Sequence, residues 1–267
     1  MKKVLLYLTL IILAINGCSR QDDPVPEGEG RILVLMYHRI VENEATNTYE
    51  RSEADFESDL RYLKENNIKV LSFNDIEKAA ISGRMPAGHS AIITFDDGDH
   101  SWYSLARPLL MKYNMKATFF LWTYMIGENS FLSWNEVEYM SHYTLDGGER
   151  PFTFGSHTYS HPLLYGRKSS FESESDYNLF LDYELRVSKN LIETHTYGEV
   201  TALALPYGDG AGDTDIISAA QRNGYKFIRT SLWGAINRSE DIDLFVIPSL
   251  PMLDDTTQDQ IGYYLNL

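Results

Sequence analysis

The stretch Ala91-Ile92-Ile93-Thr94-Phe95-Asp96-Asp97-Gly98 is apolar as far as Phe95 and then changes to two acids and a glycine. A continuous apolar run is what a strand covered on both faces carries. Neighbouring side chains on a strand point to opposite faces. Adjacent carboxylates can therefore serve one site only if the strand stops and the chain turns there, which Gly98 permits. In such a pair one acid can bind a cation while the other exchanges protons. Taken alone, the run also reads as a solvated Asp-Asp-Gly turn.

Working outward, strand and helix patterns alternate. Ile32-Leu33-Val34-Leu35-Met36-Tyr37 is a second apolar strand. Ser52 is predicted to cap a helix with Phe56, Leu60 and Leu63 on one face. A short strand follows at 70–71, and Asn74 is predicted to cap a helix running to about Ser82. Residues 103–113 read as a helix and 117–121 as a strand. Ser133-Trp134-Asn135-Glu136 is a capping box opening another helix. A strand at 152–154 precedes a long helix faced by Leu181, Leu185, Ser188 and Ile192. Strands at 201–205, 226–229 and 244–247 complete the set. Repeated βα units predict a parallel α/β sheet in one domain, open or closed into a barrel, with catalytic groups where strands end.

Two further motifs stand at such ends. Ser156-His157-Thr158-Tyr159-Ser160-His161 follows the 152–154 strand. Histidines at i and i+4 share a face if the segment turns helically. With one carboxylate they form a His₂-carboxylate set typical of catalytic zinc, leaving a position for water. Ala204-Leu205-Pro206-Tyr207-Gly208-Asp209 is the third piece. Its Pro and Gly fix a tight turn, which could present the Tyr207 backbone N–H to an oxyanion.

In this order the three pieces resemble the polysaccharide deacetylase family, also called the NodB-homology or carbohydrate esterase 4 family. Val34-Leu35-Met36-Tyr37-His38 looks like its entry strand and Gly224-Tyr225-Lys226-Phe227 like a late one. The resemblance runs from about Arg31 to Tyr264. It implies a distorted (β/α) barrel with fewer than eight regular strands. It implies that Asp97, His157 and His161 hold a divalent metal, usually zinc, and that Asp96 is the general base. A water activated by the metal would attack the acetyl carbonyl, with the metal and the Tyr207 N–H steadying the oxyanion.

The chain also departs from the pattern. Ala204 stands where the family often has the Arg that orients the base. The late Leu-x-x-His motif, whose His is the usual general acid, is missing, and no histidine follows His195. Both departures are similar to the subgroup that deacetylates extracellular poly-N-acetylglucosamine. That subgroup often carries Arg in an Ile-Pro-Arg run where this chain reads Ile247-Pro248-Ser249. His38 and His100 are the available substitutes for the acid. The resemblance implies N-deacetylation of a β-linked N-acetylglucosamine polymer. An O-acetyl esterase on xylan or a similar glycan, or a catalytically weak glycan-binding lipoprotein, are the alternatives.

Composition limits the partners. A chain of 267 residues suffices for one large core, and a formal net charge of −15 argues against nucleic acid or a basic membrane-binding face. Lys2 and Lys3 precede an apolar stretch over 4–15, too short to span a bilayer, which needs roughly 20 residues. It ends at Ile15-Asn16-Gly17-Cys18, which contains the only cysteine. The run resembles a bacterial lipoprotein signal, so residues 1–17 are expected to be a signal peptide and Cys18 a lipid anchor. Ser19 after the cysteine suggests the outer membrane. Residues 18–30 form a polar, acidic linker and 31–267 the deacetylase domain. With Cys18 acylated, packing alone must hold the fold.

Overall fold

The computed structural model describes residues 30–267. The expected signal peptide, Cys18 and all of the linker but Gly30 lie outside the described residues. Among those described, no helix is long and apolar enough to cross a membrane.

Strand β1 (Ile32–Tyr37) is buried at every residue, as its unbroken apolar run requires. A small parallel ribbon, β2 (Arg39–Val41) with β3 (Glu50–Ser52), leads into α1 (Glu53–Glu65). Then come β4 (Lys69–Val70), α2 (Phe73–Ser82), β5 (Ser90–Asp97), α3 (Arg107–Tyr113) and β6 (Ala117–Leu121). Helix α4 (Trp134–His142), β7 (Phe152–Ser156), α5 (Glu174–His195) and β8 (Ala202–Ala204) follow. The chain ends with α6 (Thr214–Arg222), β9 (Phe227–Trp233), β10 (Ile247–Pro251) and α7 (Gln258–Leu265).

The main sheet runs β1-β10-β9-β8-β7-β6-β5 in parallel, and β5 pairs back onto β1. Seven strands thus close a barrel, one fewer than a regular eightfold one. One edge of β5 is taken by β1 from Ser90 to Phe95. The other edge is shared: β4 pairs at Ser90 and Ala91, and β6 takes over from Thr94 to Asp97. The barrel is distorted where these ladders change hands.

Alternation along each strand sorts the core into two layers. Val34, Ile92, Phe120, Ala204, Phe227 and Ile247 belong to the inner cluster. Phe73 of α2 joins them, its ring 5.8 Å from Phe120 and 5.7 Å from Phe227. The odd-numbered residues of β1 and β5, from Leu33 to Tyr37 and Ala91 to Phe95, pack outward under the helices. The same alternation puts Asp96 in the inward series with Ile92 and Thr94, and Arg229 in the inward series with Phe227. Gly155 on β7 lets strands approach: a Cβ there would lie 2.5 Å from the Phe120 ring. The C-terminal segment is tied in by buried Arg51, which donates to the carbonyls of Leu253 at 2.9 Å and Thr256 at 2.7 Å. Its Nη2 meets Asp59 at 2.8 Å.

Several local expectations need correction. Helix α2 is capped by Ser72, not Asn74, because Asp75 closes a capping box with Ser72. The 103–113 helix opens as a wide π turn over Trp102–Ala106 before α3. Pro108 lacks the N–H that an α turn would give to Ser104. The last strand begins, rather than ends, at Ile247: the Asp243 carboxylate accepts from Phe245 N at 2.8 Å and holds 243–246 as a turn. Ser52 and Ser133 cap α1 and α4 as expected.

Candidate active site

Asp96 ends the inward series of β5 and is 2% exposed. Asp97 would point outward if the strand continued. It instead takes φ 92°, followed by Gly98 at φ 111°, so the chain turns at the acid itself. Both carboxylates consequently face one pocket at the barrel mouth.

The two histidines meet there, though not on a helix. Segment 157–161 has no helical assignment, and Thr158 and His161 adopt φ 64° and 57°. A buried scaffold replaces the expected helical turn. Ser156 Oγ donates to Ser188 Oγ at 2.7 Å and accepts from Thr158 N at 3.0 Å. Glu184 of α5 is 3% exposed, and its carboxylate accepts from Ser160 N at 2.8 Å and Ser160 Oγ at 2.7 Å. The His161 ring stacks on Trp122 with centroids 4.7 Å apart.

Asp97 Oδ1 lies 3.6 Å from His157 Nε2 and 3.5 Å from His161 Nε2, and the two ring nitrogens are 3.1 Å apart. His157 Nδ1 is 2.9 Å from the Ala204 carbonyl, which fixes its tautomer and turns the Nε2 lone pair to the site. Burial lowers His157 to about 3 and His161 to about 4, so both rings are neutral at neutral pH and these contacts are not ion pairs. Burial, and then the Asp96 charge, push Asp97 up to about 7. The group is thus poor in positive charge. A divalent cation fits it: two imidazole lone pairs and a carboxylate converge within 4.8 Å, and such an ion would restore Asp97 to its ionised form.

Asp96 behaves differently. Burial, the largest influence, would raise it, but the Arg229 guanidinium, with smaller contributions from His157 and His38, holds the carboxyl below its usual range. Arg229 Nη2 bonds Asp96 Oδ2, and Arg229 is 1% exposed. Asp96 Oδ1 is buried without a hydrogen-bond partner. One oxygen is therefore anchored and the other is free to accept a proton. Sequence reasoning did not single out Arg229. The available signal was an arginine inside the apolar run Phe227-Ile228-Arg229, because a buried charge must find a partner. It accounts for the departures at Ala204 and Ser249. Arg229 Nη1 and Ser249 Oγ both contact Met36 Sδ, so a small residue at 249 leaves room for the guanidinium.

Tyr207 stands in the same pocket at φ 58°, with its ring 4.7 Å from His161. Gly208 makes this turn feasible, since a Cβ there would lie 1.8 Å from Ser231 Oγ. His38 also lines the pocket. Its carbonyl accepts from Trp102 Nε1 at 2.6 Å, and its Nδ1 is buried without a partner. His100 is not brought to this pocket; its Nε2 contacts Glu136 Oε1 at 3.0 Å in a separate hollow.

The arrangement joins a carboxylate and two imidazoles able to hold a metal ion, an anchored carboxylate and a histidine with a free ring nitrogen in a pocket of about 430 Å³. The sequence pattern of the polysaccharide deacetylase family matches residues 83–228. The chain is 29% identical over 245 residues to the poly-beta-1,6-N-acetyl-D-glucosamine N-deacetylase of Staphylococcus epidermidis, covering 86% of this chain and 81% of that one. Its fold is similar to the Streptococcus pyogenes deacetylase PplD solved with acetate, at TM-score 0.73 and 22% identity over 91% of this chain and 99% of that one. A de-N-acetylase from Aggregatibacter actinomycetemcomitans gives TM-score 0.74 at 21% identity, over 88% of this chain and 100% of that one. At these identities the structural likeness speaks for the fold.

Proposed function

The chain belongs to the polysaccharide deacetylase family, hydrolases that act on acetylated glycans, and on that premise we propose that it N-deacetylates a β-linked N-acetylglucosamine polymer. The observation that carries this reading is the convergence of Asp97, His157 and His161 beside the Arg229-anchored Asp96. Zinc suits two imidazoles and one carboxylate; when bound it would supply a Lewis acid for the acetyl carbonyl and for water. Asp96 takes the proton of the attacking water at its free Oδ1. Arg229 keeps that carboxylate ionised and aimed. The Tyr207 backbone N–H faces the oxyanion. Burial pushes the His38 pKa down, so this ring, on the wall of the same pocket, starts neutral; it hands on to the leaving amine the proton that Asp96 took from the water, which returns both groups to their starting states. An amine is a poor leaving group without that proton, and general acid help contributes about 10²–10⁴-fold.

The deciding experiment measures acetate release by zinc-loaded protein from β-1,6- and β-1,4-linked N-acetylglucosamine oligomers and from acetylated xylan. Release from an N-acetylglucosamine series supports the reading. Release from xylan alone makes the protein an O-acetyl esterase, and release from none makes it a glycan-binding protein. From the lipoprotein-like run ending at Cys18 we further propose that the protein is held in the bacterial cell envelope through acylated Cys18, with Ser19 favouring the outer membrane. Mass spectrometry of the mature N-terminus checks this: a free Cys18 rejects the tether.

A further inference from the structure

The two histidines of the site are held in different ways. His157 Nδ1 lies against the Ala204 carbonyl, the kind of outer partner that usually fixes a metal-binding imidazole. His161 Nδ1 makes no hydrogen bond to another residue among those described. The bonds of His161 are at its backbone N–H, which donates to Thr158 Oγ1 at 3.1 Å, and at Nε2, which faces His157. What lies along its ring instead is the indole of Trp122, with the two planes 26° apart. His157 and Tyr207 meet the same imidazole at steep angles, with centroids 4.6 and 4.7 Å away.

The end of β6 places Trp122 for this contact. That strand lies between β5 and β7, so its last residues border both the acid pair and the histidine segment. His157 N donates to the Leu121 carbonyl at 2.9 Å, and Trp122 N donates to the Asp97 carbonyl at 3.0 Å. Residues 121 and 122 thus touch all three candidate ligands. Asp97 and His157 are touched through backbone, which any side chain at 122 would leave in place; His161 is touched by the indole. Phe131 meets the indole edge-on at 6.0 Å. The indole Nε1 is buried without a hydrogen-bond partner, which costs free energy, so the ring is held here by its faces and not by its polar atom. Trp122 is not among the residues lining the catalytic pocket, so its contact with the chemistry runs through His161.

We infer that Trp122 is a positioning residue for His161. Its ring fixes the imidazole plane so that Nε2 stays turned toward Asp97 and His157, in place of the hydrogen bond that His157 has and His161 lacks. The hold tightens when a divalent cation draws electron density from the imidazole, because the indole face is electron-rich and attracts positive charge. The inference rests on the reading that Asp97, His157 and His161 bind zinc.

The test measures zinc affinity by competition with a chelator in wild type, Trp122→Phe and Trp122→Leu, with melting curves of the metal-free proteins as a check on folding. Trp122→Leu should bind zinc about three- to tenfold more weakly, the factor that a stacked aromatic pair typically contributes. Trp122→Phe, which keeps a ring face, should recover most of the affinity. Adding zinc should also change the indole emission of wild type, and that change should be largely absent from Trp122→Phe; this readout does not depend on the leucine variant folding. Wild-type affinity in Trp122→Leu overturns the inference. So does an equal loss in the two variants, or a zinc-dependent emission change that persists in full in Trp122→Phe. A wild-type protein that binds no zinc rejects the metal reading itself, and the inference with it.

Discussion

Arg229 on β9 reaches across the barrel interior to bond Asp96 at the end of β5, 133 residues away in sequence. Removing one partner of a buried pair leaves the other uncompensated, which typically costs about 3–5 kcal/mol. Arg229→Ala should therefore lower thermal stability and also kcat, since Asp96 loses its anchor. Arg229→Lys should recover part of the stability but little of the rate, because an ammonium cannot reproduce the guanidinium fork. Melting curves and kcat for both variants check this; wild-type kcat in Arg229→Ala would reject a role for the pair in catalysis.

The division of labour between the two acids predicts opposite outcomes. His157→Ala and Asp97→Ala should bind little metal by elemental analysis, and a chelator should silence wild type with recovery on adding zinc. Asp96→Asn should retain metal and lose about 10²–10⁴ in rate, the usual contribution of a general base. Loss of metal from Asp96→Asn would mean that the acids are reversed.

Glu184 makes no contact with Asp96 or Asp97, yet it holds Ser160 between His157 and His161, the two histidines proposed to bind metal. Glu184→Ala should weaken metal affinity about tenfold, within the range seen for outer-shell partners. Glu184→Gln, which keeps an acceptor, should restore much of it. Competition titration against a chelator reads the difference. Equal affinity in wild type and Glu184→Ala would show that the turn holds itself.

His38 and His100 separate cleanly. His38→Ala should lose amide hydrolysis by about 10²-fold or more while sparing an activated acetate ester, whose leaving group needs no proton. His100→Ala should change both rates little, because His100 contacts Glu136 and lines a different hollow. Selective loss of the amide reaction in His100→Ala instead would overturn the assignment.

How far these features were legible depends on the range of the interactions behind them. The apolar runs of β1 and β5, the Ser52 and Ser133 caps, and the three motifs at strand ends are written locally. Each is set by side-chain alternation or by hydrogen bonds within a few residues, and these survive reading in one dimension. The pairing of His157 with His161 was legible too, but for the wrong local reason. Their spacing suits a helix, whereas left-handed residues and the side chain of Glu184, 24 positions from Ser160, shape the real turn.

What the sequence by itself determined is the alternation of strands and helices along the chain, the place of Asp96 and Asp97 at a strand end and the residue types available as ligands. Only the tertiary structure decided that Arg229 supplies the charge expected near Ala204 or Ser249, and that His38 rather than His100 faces the site. The physical reason is closure. When β5 pairs with β1, inward residues from strands far apart in the chain share one small interior. Which of them meet is set by the curvature and register of the whole barrel, and no local pattern carries that information.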